Sequence, residues 1–186
     1  MFLDIGPRPD FSLSANKEFW KSEEAWLTGG SAGLFLGTQA LGLSVWLTLA
    51  VINNGQAFRS SVGAVGATMA MTPLHQAPAI DIPLLRRAVR SPHLHQLALL
   101  IVLALQVIAA VAAWTGSYQL VLGDGLSAAR PWLNLALSGF SAFVFAMLLG
   151  GLWFGYWIRQ EGLQLTHLVL AIWALLAFAL FNLQWA

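Results

Sequence analysis

The sequence predicts an all-α membrane protein, with four transmembrane helices in one bundle, an N-terminal interfacial helix and a long loop between helices 1 and 2. Four stretches carry no Asp, Glu, Lys or Arg: residues 25–58, 91–123, 131–158 and 162–186. Each can supply the roughly 20 helical residues that cross about 30 Å of hydrocarbon. Charged residues make up 9% of the 186, against roughly 25% in a soluble domain. A bilayer offers no water to backbone polar groups, so these stretches are expected to be helical.

The N-terminal residues are expected to form an arm, residues 1–28, ahead of a transmembrane domain, residues 29–186. Within the arm, residues 16–27 have an apolar face that includes Trp20 and Trp26, which is typical of a helix lying in the membrane interface. The alternative is that this helix simply extends the first span into water.

The predicted spans cover residues 29–52, 97–114, 132–157 and 163–183. The nine tryptophans are expected at the lipid headgroups, where amphipathic rings anchor membrane helices. The loop of residues 53–92 contains an uncharged stretch, residues 60–71, that is too short to span. We expect that stretch to be re-entrant or interfacial.

A row of glycines, Gly29, Gly33 and Gly37, lies along one side of the first span. Small residues spaced by four let two helix backbones approach closely. The row therefore predicts a helix contact, either within this chain or with another subunit.

Four spans place both termini on one side of the membrane, but the positive charges do not decide which side. The terminal side holds four basic residues: Arg8, Lys17, Lys21 and Arg130. The opposite side holds five: Arg59, Arg86, Arg87, Arg90 and Arg159. Orientation stays open, because the positive-inside rule needs a clear excess.

The composition removes several kinds of chemistry. The chain has no cysteine, which excludes disulfides, thiolate catalysis and Cys-ligated metals. No carboxylate lies within a predicted span, which argues against a proton-coupled transporter. A net charge of +1 argues against a nucleic-acid partner. We therefore expect no enzyme activity, no catalytic or metal site and no resident cofactor.

The histidines are the one candidate constellation for a cofactor. His95 near the start of span 2 and His167 in span 4 fall on the same side of the membrane, where two histidines could ligate haem or hold a quinone or pigment. The alternative is structural. In that case Arg87, His95 and Trp153 form a polar cluster that holds the long loop, with His167 as its deepest member.

Three arginines precede span 2: Arg86, Arg87 and Arg90. They could bind anionic lipid, at about 1 kcal/mol for each basic residue near a charged leaflet. They could instead pair with Asp81 or with carboxylates of a partner. Contact with lipid or a partner is the favoured hypothesis.

Two motifs, Arg87-Ala88-x-x-Ser91-Pro92-x-x-His95 and Gly150-Gly151-x-Trp153-Phe154, resemble a bacterial family of predicted small integral membrane proteins, domain of unknown function 2165. The similarity covers residues 35–183. The resemblance implies a four-span protein of the bacterial inner membrane and supplies no known activity.

This chain departs from the family pattern at acidic positions. The family pattern has acids where this sequence has neutral residues: Ala57, Thr72, Gln106 and Leu152. If the family uses those carboxylates for protons or ions, the resemblance implies that this chain has lost that activity.

The sequence therefore favours a non-catalytic accessory subunit of a larger membrane complex, in contact with lipids and other integral membrane subunits. One alternative is a haem-, quinone- or pigment-binding subunit of an electron-transfer or photosynthetic complex, using His95 and His167. Another is a small transporter or channel.

Overall fold

The chain is all-helical throughout the part that the structure describes. This structure is a computed structural model that describes the backbone of residues 11–183 and the side chains of residues 30–183. No β-strand occurs within residues 11–183. Six α-helices follow one another: α1 Phe11–Gln56, α2 Phe58–Met69, α3 Thr72–His75, α4 Pro92–Val121, α5 Leu126–Trp153 and α6 Glu161–Asn182.

Four helices are long and apolar enough to cross a membrane, which confirms the four predicted spans. They cover Gly30–Gln56, Pro92–Val121, Leu126–Trp153 and Glu161–Asn182. The second of these, α4, has 30 residues and extends well beyond the predicted 97–114. Its first turn is polar but helical, because Pro92 has the backbone angle that suits a helix start and has no N–H to leave unpaired.

The predicted interfacial helix is not confirmed as a separate element. α1 runs without interruption for 46 residues, from Phe11 to Gln56, across the expected boundary at residue 28. The sequence has no proline between residues 11 and 56. The surroundings of Trp20, Trp26 and Gly29 lie outside the described side chains.

α1 and α4 are antiparallel neighbours. Three side-chain hydrogen bonds join them, each 2.9 Å long: Ser44–Ser117, Thr48–Trp114 and Asn54–Gln106. From Ser44 to Asn54 the contacts advance along α1. Their partners go back along α4, from Ser117 to Gln106, by nearly the same number of residues, as antiparallel packing requires.

α2 continues the line of α1 along α4. Gly66 of α2 lies against His95, and the carbonyl of Met69 accepts a 2.8 Å hydrogen bond from the Val89 N–H. The number of residues from Asn54 forward to Gly66 nearly equals the number from Gln106 back to His95 on α4. α2 therefore keeps the register that α1 has against α4. The first half of α4 is thus covered by a short helix from the predicted loop.

Buried side chains from all four membrane helices join one hydrophobic core, with an aromatic cluster where α1, α5 and α6 meet. Trp46 and Trp173 pack edge-on against Phe140, with ring centroids 5.2 and 5.4 Å away, and Phe143 adds a further edge contact. The prediction that all nine tryptophans lie at the headgroups is wrong for Trp46 and Trp173. Their rings fill the space between helices in mid-span, where aromatic area stabilises packing.

The start of α5 is tied to the end of α6. The Arg130 guanidinium donates hydrogen bonds of 2.9 Å to the carbonyls of Phe181 and Leu183, which satisfies carbonyls left free where α6 ends. The side chains of Asn134 and Asn182 exchange two hydrogen bonds of 3.0 and 2.8 Å. This end of the molecule is on the same side as the short α4–α5 turn.

Candidate functional site

A polar cluster lies at the junction of α1 and α2. The helix stops for one residue at Ala57, whose φ and ψ are −97° and 28°. There the Asn54 amide donates to Gln106 Oε1 at 2.9 Å, and the Ser61 hydroxyl donates to Asn54 Oδ1 at 3.2 Å. Gln106 is 4% exposed and lies midway between the two ends of α4. Asn54 lies two residues before the end of α1, so the cluster forms where the first membrane helix ends.

The connecting segment, residues 57–91, is fastened to α4 through His95. His95 Nε2 donates a 2.8 Å hydrogen bond to the Val89 carbonyl, which fixes the tautomer with its proton on Nε2. The imidazole ring also lies so close to Gly66 that a Cβ there would be 2.6 Å from Nδ1. Glycine at position 66 is therefore what lets α2 pack directly on this imidazole.

Three further contacts tie the connecting segment to the turn between α5 and α6. The Arg87 guanidinium carbon lies 4.4 Å from the centroid of a Trp153 ring, in cation–π geometry. Thr68 donates a hydrogen bond to Gln160 Oε1, and Arg159 donates one to the Pro78 carbonyl. The connecting segment and this turn therefore lie on the same side of the membrane.

His167 has a separate partner in Tyr156. Their rings stack with centroids 5.9 Å apart, and the Tyr156 hydroxyl is 3.4 Å from His167 Nδ1. Burial raises the pKa of the Tyr156 phenol above its ordinary value, so its hydroxyl is protonated at neutral pH. Gly151 makes room for the tyrosine, because a Cβ at that position would be 2.5 Å from the ring.

The structure brings only part of the predicted polar cluster together. Arg87 meets Trp153, whereas His95 contacts the Val89 carbonyl and His167 contacts Tyr156. Within the described residues, no group of three or more His, Asp or Glu side chains is placed to hold a metal ion. Ligation of iron through His95 Nε2 would first require its bond to Val89 to break.

The arginines before α4 have different surroundings. Arg87 is engaged with Trp153, while Arg86 and Arg90 are exposed, with no ion-pair partner in the part of the chain that the structure describes. Asp81, the expected internal partner, is also exposed and unpaired by the same measure. Both guanidinium groups therefore lie on the surface of the described structure.

The glycine row on α1 divides into two parts. A Cβ on Gly37 would make ordinary contact, at 3.5 Å, with Val121 of α4, so Gly37 packs internally. A Cβ on Gly33 or Gly30 would meet nothing within 4 Å among the described atoms. The row thus faces α4 at one end and open space at the other.

Sequence reasoning missed the roles of Tyr156, Gly66 and Asn54 in these contacts. Gly151 in the Gly150-Gly151 motif was a usable signal, because a helix interior seldom keeps a glycine without a close neighbour. Asn54 and Gln106 were each recognisable as polar residues in apolar surroundings. Their pairing across a long stretch of chain depends on the register of α1 against α4.

The family comparison bears on the class of protein. A family model for predicted small integral membrane proteins, DUF2165, matches residues 34–184, which is most of the chain. The protein belongs to the DUF2165 family. The sequence matches no curated protein and no solved structure. In this DUF2165 protein, two of the positions noted for their missing acids, Ala57 and Gln106, lie at the α1–α2 junction.

Proposed function

We propose that this chain is a non-catalytic accessory subunit of a larger assembly in the bacterial inner membrane. The observation that supports it best is the length of α1. Gly37 lies against Val121, the last residue of α4, yet α1 begins much earlier, at Phe11. At a rise of about 1.5 Å for each residue, about 39 Å of helix extends beyond the end of its neighbour.

The described part of that extension has a surface suited to a second helix. Gly30 and Gly33 leave the backbone open, while the neighbouring Leu34 and Phe35 are 75% and 52% exposed. Transmembrane helices associate where small residues allow backbones to approach and larger side chains pack beside them. A helix of a partner subunit would fit this surface of α1.

The interior supports a non-catalytic role. Every buried side-chain nitrogen and oxygen in the described part has a hydrogen-bond partner. Ser44 binds Ser117, Gln106 binds Asn54, and His167 binds Tyr156. Polar groups committed to one another hold helices together and leave no buried donor or acceptor in the described part free for a substrate.

Arg86 and Arg90 supply a second kind of contact. Both are exposed beside the start of α4, on the side of the connecting segment. Basic residues next to a membrane helix attract anionic headgroups, at about 1 kcal/mol each. We propose that they bind lipid headgroups or carboxylates of the partner subunit.

Substitution on α1 tests the accessory role. Gly33→Leu is expected to release the chain from its complex while leaving the fold intact, because position 33 is open within the chain. Gly42→Leu is the matched control. Gly42 is also open, but its separation from Gly33 is about two and a half helical turns, which places it on the opposite face of α1.

The readout is the native mass of the chain in mild detergent, together with mass spectrometry of co-purifying membrane proteins. Loss of specific proteins with Gly33→Leu but not with Gly42→Leu is expected. Identical profiles for both variants and the wild type would exclude the Gly33 face as the point of attachment.

The α1–α2 junction favours one alternative, a small transporter or channel. Many transporters bind ions or substrates where a membrane helix is interrupted. Here Asn54, Ser61 and Gln106 meet at the break between α1 and α2, and the exposed Arg59 lies close by on α2. Flux of a monovalent ion into proteoliposomes that is lost with Gln106→Leu would favour this alternative over the accessory role.

A further inference from the structure

The side of the molecule that holds the connecting segment carries positive charge that the described chain does not neutralise. Four arginines lie around the start of α4 and the α5–α6 turn, against two carboxylates: Arg86, Arg87, Arg90 and Arg159, with Asp81 and Glu161. No ion pair joins any of these groups within the described residues. The excess of positive charge attracts anions from outside the chain.

Arg87 is held in place by an aromatic ring and keeps its hydrogen-bond donors. Its guanidinium carbon lies 4.4 Å from the centroid of a Trp153 ring. None of its N–H groups has a hydrogen-bond acceptor in the part of the chain that the structure describes. A guanidinium in contact with an aromatic face loses conformational freedom, but it still offers paired N–H donors to the oxygens of a phosphate. Arg87 is therefore pre-organised for such an anion.

Exposed apolar side chains lie beside this pair. Trp153 is 57% exposed, and it is the last residue of a helix that is long and apolar enough to span a membrane. Leu149 and Leu152, near the end of the same helix, are 61% and 38% exposed. Tryptophan at the end of a membrane helix is typical of the headgroup layer, which borders the acyl chains. A charged group and an apolar surface thus meet as the phosphate and acyl chains of a phospholipid do.

We propose that Arg87, supported by Trp153, binds the phosphate of an anionic phospholipid whose acyl chains lie along Leu149 and Leu152. The unneutralised arginines favour a headgroup with a net negative charge over a zwitterionic one. A carboxylate of a partner subunit complements the guanidinium alone, whereas a phospholipid complements both the guanidinium and the leucines beside it.

This site rests on the lipid contact proposed above for Arg86 and Arg90, and it gives that contact a centre. Those two exposed arginines attract anionic headgroups at a distance, whereas Arg87 touches the phosphate. The lipid site does not depend on attachment of a partner through Gly33. Gly33 precedes Gly37, which packs at the opposite end of α4.

Lipid titration tests the site. The purified chain in detergent is titrated with phosphatidylglycerol or with zwitterionic phosphatidylcholine, and native mass spectrometry counts the lipids bound. The wild type is expected to bind phosphatidylglycerol more tightly. Arg87→Gln is expected to weaken that binding about 5-fold, which corresponds to about 1 kcal/mol, and to leave phosphatidylcholine binding unchanged. Arg59→Gln is the control, because it removes the same charge from an exposed position on α2, and it is expected to have a much smaller effect.

Two further variants separate loss of the site from loss of the fold. Trp153→Leu keeps every arginine but removes the ring that holds Arg87, so phosphatidylglycerol binding is expected to weaken. Trp157→Leu is its control, because Trp157 is 48% exposed and has no cation–π contact in the described structure. Arg87→Lys keeps the charge without the paired donors and is expected to restore only part of the binding lost in Arg87→Gln.

Three outcomes overturn the proposal. The first is equal affinity of the wild type for the two lipids, and the second is an equal effect of Arg87→Gln and Arg59→Gln. The third is unchanged lipid binding by Arg87→Gln together with loss of co-purifying membrane proteins, which assigns the arginine to a partner's carboxylates. That third result leaves the accessory role standing, whereas the Gly33→Leu experiment tests the accessory role without altering the lipid site.

Discussion

At the scale of single residues, polar side chains decide how the apolar helices fit together. Gln106 is almost fully buried midway along α4, and the only hydrogen bond to its side chain in the described structure comes from Asn54. An amide in hydrocarbon costs free energy unless it is paired. The pair therefore fixes α1 against α4 at one register, because sliding by a turn leaves both amides without this partner.

Gln106→Leu tests this pairing. The variant keeps a similar volume but leaves the Asn54 amide without its acceptor, so we expect stability to fall by about 1 kcal/mol, the scale of interhelical hydrogen bonds in membranes. Unfolding in mixed micelles under increasing SDS measures the change. Gln96→Leu, at an exposed site on the same helix, is expected to have little effect. An equal loss of stability in Gln106→Leu and Gln96→Leu would contradict a specific role for the Asn54–Gln106 pair.

Two adjacent glycines in α5 are expected to respond in opposite ways. Gly151→Ala places a Cβ 2.5 Å from the Tyr156 ring, which is buried and stacked on His167, so we expect a loss of about 1–3 kcal/mol. Gly150→Ala meets nothing within 4 Å, and alanine favours the helix by roughly 0.5–1 kcal/mol. Thermal unfolding in detergent should give Gly151→Ala a lower unfolding midpoint than the wild type and Gly150→Ala a higher one.

At the scale of elements, α2 is the least expected part of the fold. Its 12 residues are too short to span a bilayer, yet it packs along α4 as if it were part of a membrane helix. The close approach of Gly66 to His95 and the Met69–Val89 hydrogen bond hold it there. α2 is therefore stable only while its contact with α4 persists.

His95→Ala is expected to loosen the connecting segment without preventing membrane insertion. The change removes the hydrogen bond to Val89 and the ring that packs on Gly66. Limited proteolysis near the exposed residues 75–79 should become several-fold faster. His93→Ala is the control, because His93 is exposed and its side chain has no hydrogen bond in the described structure. Equal rates for the two variants would show that His95 does not hold this segment.

The extent of successful prediction differs between these elements. The four membrane helices were predictable because hydropathy is local. The pairing of Arg87 with Trp153 was predictable because Arg87 lies just before α4 and Trp153 lies at the end of α5. The place of α2 was not, because its uncharged stretch fits an interfacial, re-entrant or packed helix equally well. The partner of His167 was missed because Tyr156 lies in a turn, where helical periodicity says nothing of side-chain direction.

At the scale of the whole molecule, two groups of contacts define its ends. The connecting segment meets the α5–α6 turn through Arg87, Thr68 and Arg159. At the other end, Arg130 and Asn134 hold the last residues of α6. Both ends are closed by contacts distant in sequence, and the helices between them expose apolar side chains.

Labelling of single cysteines tests this topology. Cysteines at Asp81 and Glu161 are expected to react with a membrane-impermeant maleimide from one side, and a cysteine at Asp124 from the other. All three native residues are exposed in turns or at a helix start, so substitution should be tolerated. If the cysteines at residues 81 and 161 react from opposite sides, the connecting segment crosses the membrane and this arrangement is wrong.

The sequence by itself determined that the protein lies in a membrane, that it is helical, how many spans it has and which family it belongs to. Those properties follow from runs of uncharged residues and from the need of each backbone group to be bonded within its own helix. Only the tertiary structure decided which polar groups meet. It joined Asn54 to Gln106 and His95 to Val89. Such pairings depend on the register and facing of helices distant along the chain, which no local pattern specifies.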